Sequence, residues 1–186
     1  FKTGLFNIGA AGQYTLGAYG ALYCAIMLKL PWFVCLIAAT ILGGIWGAIP
    51  GFFKAYFNIN EVITSIMFNW IGLYLVNELI YQNGTGPMYD VRNTRTLNLG
   101  KSAELSKALI PDFGLNKMFQ TNSTTIAIFL AAAVAVLIWV VLNKTTFGYE
   151  LKAVGLNKSA ARYAGINEKK NIILSMAIAG ALAGFG

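Results

Sequence analysis

The sequence predicts an all-α integral membrane protein. Hydrophobic residues make up 57% of the 186 positions and charged residues only 11%, and the mean hydropathy is +0.62. Soluble domains carry about a quarter charged residues. Three apolar stretches, 32–53, 61–81 and 123–143, are each long enough to cross about 30 Å of hydrocarbon as a helix. Lipid offers the backbone no hydrogen-bond partners, so each of these stretches is expected to be helical.

Two shorter apolar stretches raise the expected number of membrane segments to about five. Residues 13–29 precede an interruption at Lys29 and Pro31, and residues 171–186 remain apolar up to the last position. The chain does not start with Met. We therefore expect residues 1–186 to be a single transmembrane domain, and an internal piece of a longer protein.

Basic residues give the expected sides of the two long connections. Residues 144–170 hold six Lys or Arg in 27 positions, whereas residues 82–122 hold five in 41. Because cytoplasmic loops are enriched in Lys and Arg, we predict that 144–170 is cytoplasmic and 82–122 external. The same bias explains the net charge of +7 without nucleic acid as a partner. Within the external loop, residues 102–109 could form a short helix capped by Ser102.

Several chemistries are disfavoured by the residues present. The sequence has no His, and Cys24 and Cys35 lie in apolar surroundings, so we expect neither a metal site nor a cofactor. Gly100-Lys101-Ser102 resembles the end of a phosphate-binding loop, but the required earlier glycine is replaced by Arg at position 95. An intramembrane enzyme is disfavoured because no nucleophile stands beside a base.

The stretch from Gly4 to Gly20 combines five glycines with three uncharged polar residues, Asn7, Gln13 and Thr15. Glycine-rich backbone at membrane depth is tolerated where protein or a watery cavity covers it, as along the substrate route of transporters. Asn7, Gln13 and Thr15 are therefore candidates for a polar solute's route. Alternatively, the glycines allow close packing and the amides bond to neighbouring helices.

The third apolar segment carries a polar stripe on one helical face, and Asn60 precedes it as a candidate N-cap. Ser65 and Asn69 of this stripe are further candidates for the route, although contact with another helix would explain them equally well. The stripe consists of Glu61, Thr64, Ser65, Asn69 and Gly72.

The basic loop contains a capped short helix. Asn157 is a favourable N-cap, residues 158–164 form two turns, and Gly165 suits a left-handed C-terminal position. A small-residue face and two cations one turn apart could fit a groove on a partner; a solvated basic loop is the alternative. The residues concerned are Lys158, Ala160, Ala161, Arg162 and Ala164.

Five stretches together resemble the permeases of ABC importers. The sequences are GLFNIGAAGQ at 4–13, GAIPGFFKA at 47–55, NEVITSIMFN at 60–69, TFGYELKAVG at 146–155 and AARYAGI at 160–166. They are similar to the nucleoside and simple-sugar branch within the superfamily of ribose and branched-chain amino acid permeases. Ala11 departs from the pattern, since many members carry an acidic residue there.

The resemblance implies a fragment of the helix bundle of a type II ABC importer permease in a bacterial inner membrane. Such a permease works with a second permease subunit, cytoplasmic ABC ATPases and an external solute-binding protein, and moves nucleosides or simple sugars by alternating access. A branched-chain amino acid permease of the same fold and a passive channel are the alternatives. The resemblance identifies the loop helix as the coupling helix that docks on the ATPase, with residues Asn157, Lys158, Ala160, Ala161, Arg162, Tyr163 and Gly165.

Overall fold

A computed structural model describes residues 3–81, 86, 88–90, 95–96 and 127–186. This part of the chain holds seven helices and one two-stranded antiparallel ladder, in which Tyr89 pairs with Thr96 and Asp90 with Arg95. The prediction of an all-α protein is thereby confirmed, while the helix expected at 102–109 lies outside the described residues. The elements are α1 (Ala10–Ile26), α2 (Trp32–Phe57), α3 (Glu61–Tyr81), β1 (Tyr89–Asp90), β2 (Arg95–Thr96), α4 (Ala127–Lys144), α5 (Thr146–Leu156), α6 (Lys158–Tyr163) and α7 (Glu168–Phe185).

Three of these helices are long and apolar enough to cross a membrane. They are α2, α3 and α4, with 26, 21 and 18 residues, and they coincide with the three full-length spans predicted from the sequence. No residue of α4 is fully buried within the described structure, and large apolar side chains such as Ile128, Val136 and Trp139 are exposed on it. Such a surface is typical of a helix surrounded by lipid or by further membrane helices.

Local signals in the sequence set the helix ends. The side chain of Asn157 accepts a hydrogen bond from the Ala160 N–H at 3.1 Å, and the side chain of Asn60 accepts one from the Val62 N–H at 2.9 Å. Gly165, with φ of +79°, has the left-handed conformation expected after α6. The predicted N-caps at Asn60 and Asn157 and the predicted glycine position are confirmed, because each depends on only a few neighbouring residues.

The closest helix contact joins α2 to α7 through glycines. A Cβ atom placed on Gly43 would lie 2.5 Å from the carbonyl oxygen of Gly180 and 2.8 Å from the Cα of Gly184. A Cβ on Gly47 would lie 2.8 Å from the Cα of Gly180. In α1, a Cβ on Gly17 would lie 2.6 Å from the Cα of Gly184. The spacings of small residues on α2 and α7 therefore serve one interface, in which backbones touch directly.

Adjacent glycines of α2 provide a matched test of this interface. We expect Gly43→Ala to lower the free energy of unfolding by about 1–3 kcal/mol, because the added methyl group meets backbone atoms that cannot turn aside. Gly44→Ala should be neutral or slightly stabilising, since its Cβ would make ordinary contacts at 3.4 Å. The free energies of unfolding of both variants can be measured by titration with SDS in mixed micelles. Equal destabilisation by the two changes would contradict this account of the α2–α7 contact.

Candidate functional site

The chain before α1 is not helical, and α3 provides the hydrogen bonds that this irregular backbone needs. We call residues 3–9 the opening segment. Asn69 of α3 accepts a hydrogen bond from the Gly12 N–H at 2.8 Å and donates one to the Ile8 carbonyl at 2.8 Å. The first N–H groups of a helix lack partners within the helix. One amide side chain thus ties the opening segment and the first turn of α1 to α3.

Asn7 and Gln13 bind each other through both ends of their amides. The Asn7 Nδ2 donates to the Gln13 Oε1 at 2.9 Å, and the Gln13 Nε2 donates to the Asn7 Oδ1 at 3.2 Å. The Asn7 Oδ1 also accepts from the Gly9 N–H at 2.9 Å. Gln13 is only 1% exposed, so this pairing satisfies a polar group that water does not reach.

Gly9 lies at the centre of this group, because a Cβ on it would be 2.9 Å from the Gln13 Nε2 and 3.4 Å from the Ser65 Cβ. The Ser65 side chain is fully buried, and its Oγ has no hydrogen-bond partner among the described residues. The structure therefore brings four of the five predicted route residues together, and we call them the polar cluster: Asn7, Gln13, Ser65 and Asn69.

Thr15, the fifth predicted route residue, stands apart from the polar cluster. Its Oγ1 donates to the Ala11 carbonyl of the preceding turn at 2.8 Å. A hydroxyl that bonds to the carbonyl four residues earlier is a local feature of the helix. Within the polar cluster, by contrast, the amides of Asn7, Gln13 and Asn69 are engaged with each other and with backbone.

Helix α6 has an exposed face and a buried face. Lys158, Ala160 and Arg162 are exposed, and Tyr163 is 94% exposed. Ala161 is 3% exposed and lies in a core of this chain, so its side chain contacts the chain itself. That core, called the loop core below, consists of Leu5, Val154, Ala161, Ile172 and Met176.

Large apolar residues extend the exposed face of α6, and they were not predicted from the sequence. Leu156 is 88% exposed and Tyr149 is 70% exposed. Both line a groove of about 580 Å³ between α5 and α6, together with Glu150 and Ala160. An apolar residue next to an N-cap within a basic loop was the available sequence signal for Leu156, but its exposure depends on how α5 and α6 pack.

Charged contacts bring the ends of several helices to one end of the bundle. Lys54 of α2 forms an ion pair with Glu61 of α3, with 2.8 Å between the Nζ and Oε2 atoms. The Nζ of Lys169, in α7, lies 4.6 Å from the centre of the Tyr56 ring of α2. The turn between α2 and α3 and the start of α7 therefore lie at the same end of the bundle. Neither contact was predicted from the sequence, since each joins separate elements.

Comparison with known proteins gives a consistent family. Residues 1–186 match the model for the permease component of the branched-chain amino acid transport system. The chain is 37% identical to the guanosine ABC transporter permease protein NupP of Bacillus subtilis, covering 99% of this chain and 51% of that protein. It is 35% identical to the nucleoside ABC transporter permease protein NupB of Lactococcus lactis, and the match covers 100% of this chain and 51% of that protein.

A glucose ABC transporter permease protein of Haloferax volcanii is 32% identical over 100% of this chain and 49% of its own length. This chain thus spans about half the length of these relatives. No solved structure matches it. The family match covers every residue and the helices are those of an integral membrane protein, so the chain belongs to the family of branched-chain amino acid transport system permease components.

Proposed function

We propose that this chain is part of the permease subunit of an ATP-driven importer for nucleosides or simple sugars. The observation that carries the proposal is the similarity, over the whole chain, to guanosine and nucleoside ABC permeases at 37% and 35% identity. The subunit itself performs no covalent chemistry. Partner ABC ATPases hydrolyse ATP, a second permease subunit completes the route, and an external binding protein delivers the solute at a bacterial inner membrane.

Helix α6 is the proposed docking element for the ATPase. Its exposed face combines two cations, Lys158 and Arg162, with the aromatic ring of Tyr163, and Leu156 extends the same surface. Buried aromatic and Arg anchors contribute most of the binding energy in protein interfaces. Asn157 and Gly165 fix the two ends of the helix, so the docking face has a defined shape before the ATPase binds.

The polar cluster is the proposed wall of the solute route. Asn7, Gln13 and Asn69 hold irregular backbone in place at the start of α1, and Ser65 adds a hydroxyl that is not engaged within the described residues. Irregular backbone in a membrane protein occurs where it is covered by protein or lines a cavity. We assign these residues to shaping the route, with Thr15 on the neighbouring turn of α1.

The proposed solute class predicts a pattern of competition. Cells that express the complete transporter should take up radiolabelled guanosine, and excess uridine or adenosine should compete more strongly than leucine. The reason is that the polar cluster offers uncharged amide and hydroxyl groups, which suit the hydroxyls and base of a nucleoside, but no charged side chain to pair with the ammonium and carboxylate groups of leucine. Competition by leucine alone would instead favour an amino acid permease, as the description of the family suggests.

Reversal of charge on α6 should detach the ATPase. We expect Arg162→Glu to reduce co-purification of the ATPase and guanosine uptake by at least about tenfold, because loss of a charged anchor costs about 2 kcal/mol or more at an interface. Lys144→Glu is the matched control, since Lys144 is exposed at the start of the same loop but lies outside α6. Equal loss in both variants, or in neither, would contradict the docking role.

The amide pair allows stability and transport to be measured separately. Asn7→Leu alone leaves the Gln13 amide buried without its partner, which should cost about 1–3 kcal/mol of stability. Replacement of both amides by Leu removes that penalty, so the double variant should fold more stably than Asn7→Leu. We nevertheless expect the double variant to lose guanosine uptake. Unimpaired uptake in a folded double variant would assign the pair to helix packing alone.

A further inference from the structure

We infer that Leu5 is a positioning residue that transmits movement of helix α6 to the polar cluster. The inference rests on the proposed function and adds to it a physical link between the docking helix and the wall of the solute route. The link is the opening segment, which contacts the loop at one end and the polar cluster at the other.

At the first end of the opening segment, the Leu5 side chain inserts into the loop core. Leu5 is 7% exposed and packs in one buried cluster with Ala161 of α6 and Val154 of α5. Ile172 and Met176 of α7 complete this cluster. Side chains in a close-packed core interdigitate, so that displacement of one member displaces its neighbours. A shift of α6 is therefore passed through this cluster to Leu5.

Gly4 places the backbone of the opening segment beside the end of α5. It has a left-handed conformation, with φ of +68°, and a Cβ on it would lie 3.5 Å from the Gly155 carbonyl oxygen. Gly155 is the second-last residue of α5. The opening segment therefore lies beside the end of α5, and Leu5 shares a buried cluster with α6, so the segment is associated with both helices that flank Asn157.

The second end begins only two residues after Leu5. Asn7 pairs with Gln13, and the Ile8 carbonyl accepts a hydrogen bond from Asn69. Two residues of fully extended chain span at most about 7 Å. The segment from Leu5 to Asn7 therefore has little slack with which to absorb a displacement. It either moves as a unit or loses contacts at one end.

These contacts define what a movement of α6 would do. When the docked ATPase displaces α6, Leu5 moves with Ala161, and Asn7 and Ile8 follow because the intervening chain is short. The hydrogen bonds to Gln13 and Asn69 pass the displacement on to α1 and α3. Packed cores adopt discrete arrangements and do not deform continuously, which favours movement of the segment as a unit.

The experiment compares Leu5→Ala with wild type in the complete transporter, reconstituted in liposomes with its ATPase and binding protein. The readout is the number of guanosine molecules taken up per ATP hydrolysed. We expect Leu5→Ala to keep the ATPase bound and hydrolysing while this ratio falls at least about fivefold, within the usual range of coupling between sites. Leu5→Met, which conserves side-chain volume, should restore the ratio.

Two further variants separate transmission from general damage. Val76→Ala truncates a side chain of α3 that is 5% exposed and lies outside the loop core, and it should leave the ratio unchanged. Asn69→Ala removes the side-chain hydrogen bonds to Ile8 and Gly12 at the polar-cluster end of the opening segment. It should lower the number of guanosine molecules taken up per ATP, as Leu5→Ala does. If both act on one link, the double variant should show no lower ratio than the more severe single variant.

A wild-type ratio in Leu5→Ala would overturn the inference, as would an equal fall in Val76→Ala. If the Leu5→Ala complex does not assemble, the milder truncation Leu5→Val decides, and an unchanged ratio there overturns the inference. A wild-type complex without ATP-dependent uptake of either guanosine or a simple sugar such as glucose contradicts the proposed function and this inference together. That outcome is distinguishable, because it appears before any variant is compared.

Discussion

Direct contact between the backbones of α2 and α7 is the constraint on which the rest of the bundle depends. Lipid chains are as apolar as the side chains they meet, so close packing has to hold membrane helices together. Glycines on both helices permit that packing, and α1 joins through Gly17 against Gly184. At its other end, α7 supplies Ile172 and Met176 to the loop core. The glycine contact therefore also sets where α6 lies.

The sequence predicts those features that depend on neighbouring residues. The three long spans follow from apolar length, and the cap at Asn157 and the left-handed Gly165 follow from local chemistry. Contacts between distant residues could not be predicted in this way. The bond from Asn69 to Ile8 joins residues 61 positions apart, and the inward direction of Ala161 depends on how α6 meets α7. Glycines recur every four residues at Gly43 and Gly47 and at Gly180 and Gly184, but nothing in the sequence indicates that these two helices face each other.

Most of the polar groups near the start of α1 serve the backbone. Irregular chain within a membrane needs hydrogen-bond partners from side chains, and Asn7 and Asn69 provide them to Gly9, Gly12 and Ile8. Contact with a solute through these amides would have to replace bonds already formed. Ser65 differs from them, because its buried hydroxyl is unengaged among the described residues. Within the polar cluster, the amides of Asn7, Gln13 and Asn69 are therefore suited to holding the backbone in its irregular conformation. The Ser65 hydroxyl can form a new hydrogen bond without breaking one made among the described residues.

Packing within the chain bears on the two interpretations of the basic loop, a docking helix and a solvated loop. An isolated helix of six residues is unstable in water, because nucleation is costly and few hydrogen bonds repay it. Helix α6 is ordered by the Asn157 cap and by Ala161 in the loop core. A loop that remained solvated would change its conformation when a binding partner displaced it. Helix α6 is instead anchored by its buried face, while its other side chains stay exposed, as the proposed docking role requires.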